Sequence, residues 1–135
     1  MAYNIEEIEG IGPTYGKKLR EAGIKTVEDL LEKGKSKKGR EELVEATGIS
    51  KERILTWCNM ADMFRIKGVS SQNAELLVAA GVDTIKELRN RVPANLHKKM
   101  EEVNAEKNLV RQVPSLSQVE DFVAQAKTLE PMMTY

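Results

Sequence analysis

A shift of 58 residues brings the chain into register with itself, and no other feature restricts its fold so tightly. Under that shift Ile8 meets Ile66, Gly10 meets Gly68, Leu19 meets Leu77, Ala22-Gly23 meets Ala80-Gly81, Thr26 meets Thr84 and Leu30 meets Leu88. Ile11/Val69, Ile24/Val82, Val27/Ile85 and Asp29/Glu87 are conservative pairs in the same frame. Such a run marks two copies of one unit, each opening on a glycine turn followed by a helix.

The local chemistry of each copy agrees with this. Gly10-Ile11-Gly12 turns the chain, and Pro13 suits the first position of a helix, where its missing N–H would have had no partner. The helix runs to Ala22. Gly23 supplies the left-handed residue that stops it, Ile24 turns inward, and Thr26 caps the next helix with Asp29 at its third position. The second copy predicts Ser70 as cap, Gly81 as stop and Thr84 paired with Glu87. Each copy ends in a longer helix begun by a serine: Ser50 before residues 51 to 64, and Ser117, boxed with Glu120, before residues 118 to 129. Ile54, Trp57, Cys58, Ala61 and Phe64 recur at helical spacing as one apolar stripe, which suits a helix joining the two copies. Trp57 lies on that stripe and reads as core rather than as a platform for stacking bases. Pro93, Pro114 and Pro131 punctuate the second half.

Apolar residues make up 41% of the chain but aromatics only 4%, a balance of helix formers over strand formers. The expected fold is all-α, with a first unit at residues 1–64 and a second at 65–135 packed into one compact helical domain. One cysteine, Cys58, and one histidine, His97, leave neither a disulfide framework nor a zinc cluster, so no metal and no cofactor are expected. The start Met1-Ala2-Tyr3-Asn4 has no basic segment before an apolar run, and no stretch approaches the roughly 18 apolar residues of a membrane span. A cytoplasmic protein with no membrane partner is the expectation.

The glycine turn is also suited to hold an anion. A Gly-hydrophobic-Gly sequence lets a phosphate approach the backbone closely, and the following helix turns its positive end toward it. Ile11 would anchor the turn inward, while Thr14, Lys17 and Lys18 stand in the first turns of the helix and add a hydroxyl and two ammonium groups. The candidate phosphate-binding residues are therefore Gly10, Ile11, Gly12, Thr14, Lys17 and Lys18. The basic run from Lys33 to Arg40 contains no acid, so Lys35, Lys37, Lys38 and Arg40 are candidate secondary contacts, with Gly68 and Ser70 of the second turn. That second turn departs from the first: Ser70 replaces the second glycine, Ser71 the proline, and Glu75 and Leu76 the two lysines.

Ile8-Glu9-Gly10-Ile11-Gly12-Pro13 with Leu19, Ala22-Gly23-Ile24 and Thr26 to Leu30 resembles the helix-hairpin-helix of DNA repair and recombination proteins, over residues 8 to 23 in particular. Gly68-Val69-Ser70 to Leu88 is similar to a segment of the C-terminal domain of the bacterial RNA polymerase α subunit. Most of the chain resembles a bacterial family, domain of unknown function 4332, built from two such units. The resemblance implies tandem helix-hairpin-helix units of the SAM-like kind, and sequence-independent DNA as the partner of the first turn. Lacking triads or metal-ligand spacing, the chain is not expected to be an enzyme. With 21 basic and 21 acidic residues it has no net charge, which argues against extended coating of nucleic acid. The alternative is a helical protein-interaction adaptor, or a homo-oligomer, consistent with neutrality and six methionines.

Overall fold

The computed structural model describes residues 3–135; Met1 and Ala2, part of the N-terminal segment read above, lie outside the described residues. A 3-10 turn at Ile5–Glu7 precedes eight α-helices: α1 Pro13–Glu21, α2 Val27–Gly34, α3 Lys37–Thr47, α4 Lys51–Met63, α5 Ser71–Ala79, α6 Ile85–Arg89, α7 Pro93–Lys107 and α8 Leu116–Ala126. The described residues contain no strand, only an isolated bridge between Asn4 and Thr26. None of their helices is long and apolar enough to cross a membrane.

Two units divide the chain. The first runs through Asp62 and takes in Met132–Tyr135; the second is Met63–Pro131. The last four residues thus belong with the first unit. There the Thr134 N–H donates to the Lys35 carbonyl at 2.7 Å and the Tyr135 hydroxyl to Asn59 Oδ1 at 3.0 Å.

Within the first unit α1 ends at Glu21 with Ala22 as its cap, and Gly23 adopts φ +89°. The Gly23 N–H reaches the Arg20 carbonyl and the Ile24 N–H the Leu19 carbonyl, the two bonds that close a helix over a left-handed residue. Ile24 thereby turns in against fully buried Leu19. The second unit repeats each bond 58 residues on: Gly81, φ +95°, donates to Val78, and Val82 donates to Leu77 at the same 2.9 Å. Hydrophobic side chains at equivalent places, Leu30 and Leu88 among them, are fully buried.

The entry to α2 is fixed by a reciprocal cap. Thr26 Oγ1 accepts from the Asp29 N–H at 3.0 Å, and Asp29 Oδ2 accepts from the N–H groups of Lys25 and Thr26, each at 3.1 Å. These donors, that of Lys25 foremost, hold the Asp29 carboxyl below its usual pKa. A depressed folded-state pKa contributes stability that is complete above the unfolded value of about 4 and is lost as pH falls through the folded value. Unfolding titrations of wild type and Asp29→Asn should therefore differ at neutral pH and converge in acid. A gap that stays constant across that window contradicts the assignment.

Two local readings are corrected. The last helix starts at Leu116, not after Ser117, because Ser115 and Gln118 close a capping box first: the Gln118 N–H reaches Ser115 Oγ and the Ser115 N–H reaches Gln118 Oε1 at 2.8 Å. It ends at Ala126, where bonds from Thr128 to Gln125 and Leu129 to Ala126 tighten the final turn. In α4 the buried face is wider than the apolar stripe, since every residue from Trp57 to Met63 is buried, polar Asn59 and Asp62 among them, while Phe64 just beyond its end is half-buried.

Candidate functional site

The first turn is built from the inside outward. Ile8 and Ile11 are buried, and the Ile11 N–H donates to the Ile8 carbonyl at 3.1 Å, so the chain must reverse between them. Gly10 makes the reversal at φ +95°. Gly12 is different: at φ −85° and ψ −174° it is extended, and a Cβ there would meet nothing within 4 Å. Any residue fits its backbone. What glycine contributes at position 12 is an empty space before the helix.

That space faces the N-terminus of α1, which has no side-chain cap. The first helical bond is Gly16 N–H to the Gly12 carbonyl at 2.8 Å, and Pro13 has no N–H, so those of Thr14 and Tyr15 have no acceptor among the described residues. Thr14, Lys17 and Lys18 are exposed on the outer face of α1 while Gly16 and Leu19 are buried. Neither lysine enters an ion pair among the described residues. Glu6, the carboxylate packed against Gly16, is already held by Arg20.

Two side chains from α4 join this site that the sequence reading did not assign to it. The Arg53 guanidinium lies over the Tyr15 ring, 5.3 Å from its centre, and Tyr15 meets Trp57 edge-on with ring centres 5.2 Å apart. Arg53 and Trp57 are four residues apart and hence on one helix face. That spacing was visible, but not that the face meets α1.

The second turn has the same backbone and different chemistry. Gly68 is at φ +94°, the Val69 N–H donates to Ile66, and Ser70 sits at φ −83° and ψ 173°. Ser70 Oγ, however, accepts from the Asn73 N–H at 3.2 Å, occupying the donor whose counterpart on Tyr15 is open. Leu76, at the place of Lys18, is fully buried. Gly68 and Ser70 are thus committed to the turn and the cap.

The basic run divides. Lys33 pairs with Glu42 at 2.7 Å and Lys35 with Glu32 at 2.9 Å. The Lys33 hydrogen bond and charge hold the exposed Glu42 carboxyl below its usual pKa, with Lys38 adding a weaker attraction. Lys37 and Lys38 are exposed at the start of α3. Arg40, a candidate surface contact, is corrected to an internal residue: it is buried, donating to the Gly34 carbonyl at 2.8 Å and the Thr134 carbonyl at 2.7 Å, under the Tyr135 ring.

The remaining reactive groups are quiet. Burial pushes the Cys58 thiol up to about 12, against the opposing charge of Arg40, so the thiolate is scarce at neutral pH. Among the described residues no three His, Cys, Asp or Glu side chains are placed to hold a metal ion. His97 lies 3.6 Å from Glu101 one turn along α7.

The molecule is thus an all-helical protein in which one glycine-turned helix pair occurs twice, with an open helix end in the first copy and a capped one in the second. The chain belongs to the family described as Domain of unknown function (DUF4332), whose match spans residues 9–129 and takes in both turns. No curated protein and no solved structure matches it.

Proposed function

We propose that the protein binds DNA without regard to sequence, by seating a backbone phosphate in the Gly10-Ile11-Gly12 turn, and that its two units are tandem helix-hairpin-helix units of which only the first binds. The role is one of binding, with no chemical step. The observation that carries it is the contrast at the two helix starts: α1 has no side-chain cap, whereas the α5 cap is filled by Ser70. Open N–H donors at a helix N-terminus favour an anion. Lys17, Lys18 and Arg53 add charge around it, while Lys35 is engaged and Arg40 is internal. Contacts of this kind touch phosphates and not base edges, so they carry no sequence information.

With charge for about two or three phosphates, log K should fall with log salt at a slope of about −2 to −3 on duplex DNA. The decisive variant is Gly12→Ser, which gives the first turn the residue of the second. It should stabilise the fold by roughly a few tenths of a kcal/mol by capping α1, and should weaken DNA binding by occupying the anion's donors. Opposite signs for stability and affinity are the signature. Replacing Lys17 and Lys18 together by alanine should reduce the salt slope by about 2. Absence of binding by wild type at low salt sinks the proposal, and equal binding by Gly12→Ser removes the turn from it.

A further inference from the structure

An indole N–H beneath the first turn points to a further ligand group. Trp57 is only 4% exposed, yet its Nε1 has no acceptor among the described residues. No fully buried side-chain nitrogen or oxygen there lacks a partner, so this N–H emerges at the residual surface of the ring. The place is defined by Gly10: of the atoms beyond its chain neighbours, only Trp57 Nε1 comes within 4 Å of a Cβ built on that glycine, at 3.4 Å. The ring therefore turns its polar edge, and not a carbon edge, to the residue that makes the turn. A buried tryptophan ordinarily finds an acceptor for this proton.

The second unit shows that packing alone does not require the nitrogen. There the atom nearest a Cβ on Gly68 is a ring carbon of Phe122, again at 3.4 Å. An aromatic ring supports the turn in both units, but only the turn that leads into the uncapped α1, with Lys17 and Lys18 beyond it, is supplied with a donor.

We infer that the Trp57 indole N–H donates to an oxygen of the phosphodiester held in the Gly10 turn, making α4 part of the binding site. This rests on the turn being the phosphate site. The N–H then complements the backbone donors of Thr14 and Tyr15 as a neutral donor to an anion, adding affinity without adding charge.

Trp57 is the sole tryptophan, so its indole N–H gives a single isolated resonance. Titrating a short non-specific duplex should shift that resonance and slow exchange of its proton with solvent. Trp57→Phe, the ring used by the second unit, should weaken binding about ten- to hundredfold, as expected for one hydrogen bond to a charged acceptor, with the salt slope unchanged. Benzothienylalanine at position 57, which keeps the shape of indole and lacks only its N–H, should lose the same factor and guards against a folding defect in Trp57→Phe. If the resonance does not move, or the benzothienyl protein binds like wild type, while Lys17/Lys18→Ala still weakens binding, the Trp57 contact is overturned and the turn site stands. If wild type does not bind the duplex at low salt, both fall.

Discussion

Replacing Gly39 by alanine is expected to lower stability by about 3 kcal/mol or more, near the upper end of overpacking costs. A Cβ at this position would lie 1.7 Å from the Lys33 carbonyl oxygen and 3.2 Å from Ser36 Oγ. The obstacle is backbone, which cannot swing aside as the end of a flexible side chain can. Gly39 does not have positive φ, so the cost is steric and not conformational. It arises because Ser36 caps α3 by accepting the Gly39 N–H at 3.1 Å, folding the start of α3 tightly over the end of α2. Accommodation requires that corner to open. Denaturant or thermal unfolding measures the loss, which corresponds to a fall in Tm of about 10 °C or more. A change below about 1 kcal/mol would show that the corner is not as tight as described.

Arg40→Ala should cost about 2–4 kcal/mol, because one buried and one part-buried carbonyl lose a charged donor and the packing of the side-chain stem is lost as well. The carbonyls are those of Gly34 and Thr134, and the guanidinium also lies 5.3 Å from the centre of the Tyr135 ring. Urea unfolding gives the stability term. Hydrogen exchange at the Thr134 N–H, bonded to Lys35 in the wild type, should accelerate as the tail is released. The salt slope of DNA binding should not change, in contrast to Lys17/Lys18→Ala, because this cation is spent inside the protein. A reduced slope for Arg40→Ala would return it to the binding surface.

The parts of the fold that were legible in the sequence are those decided by neighbours along the chain. Thr26 with Asp29, Gly23 as helix stop, and their counterparts Thr84 and Gly81 each act over three to five residues, and the repeat allowed each to be read twice. Where two local signals competed, pattern was insufficient: Ser115/Gln118 and Ser117/Glu120 have the same spacing, and the one that closes first sets the helix start. Arg40 was misplaced for another reason. Its acceptor on Thr134 is 94 residues away, and nothing in a basic run announces which cation will be drawn inward. Ile11 points inward and Lys17 and Lys18 outward, as helical spacing and hydrophobicity predict, since both are properties of one short segment. Trp57 is buried, as its stripe indicates, but which edge of the ring meets Gly10 depends on how α4 is rotated, a matter of tertiary packing.

The return of Met132–Tyr135 to the first unit has a consequence for the order of folding. All of Met63–Pro131 is synthesised between the two pieces of that unit, so the second unit is contiguous in sequence and the first is not. Contacts such as Thr134 to Lys35, across 99 residues, carry a large loop-closure entropy. On a ribosome the α2–α3 corner therefore waits, with the Arg40 guanidinium lacking the Thr134 carbonyl, until the later-made unit has emerged. A unit that begins first is completed only after Met63–Pro131 has been made, and its last hydrogen bonds report that the second unit has already been synthesised.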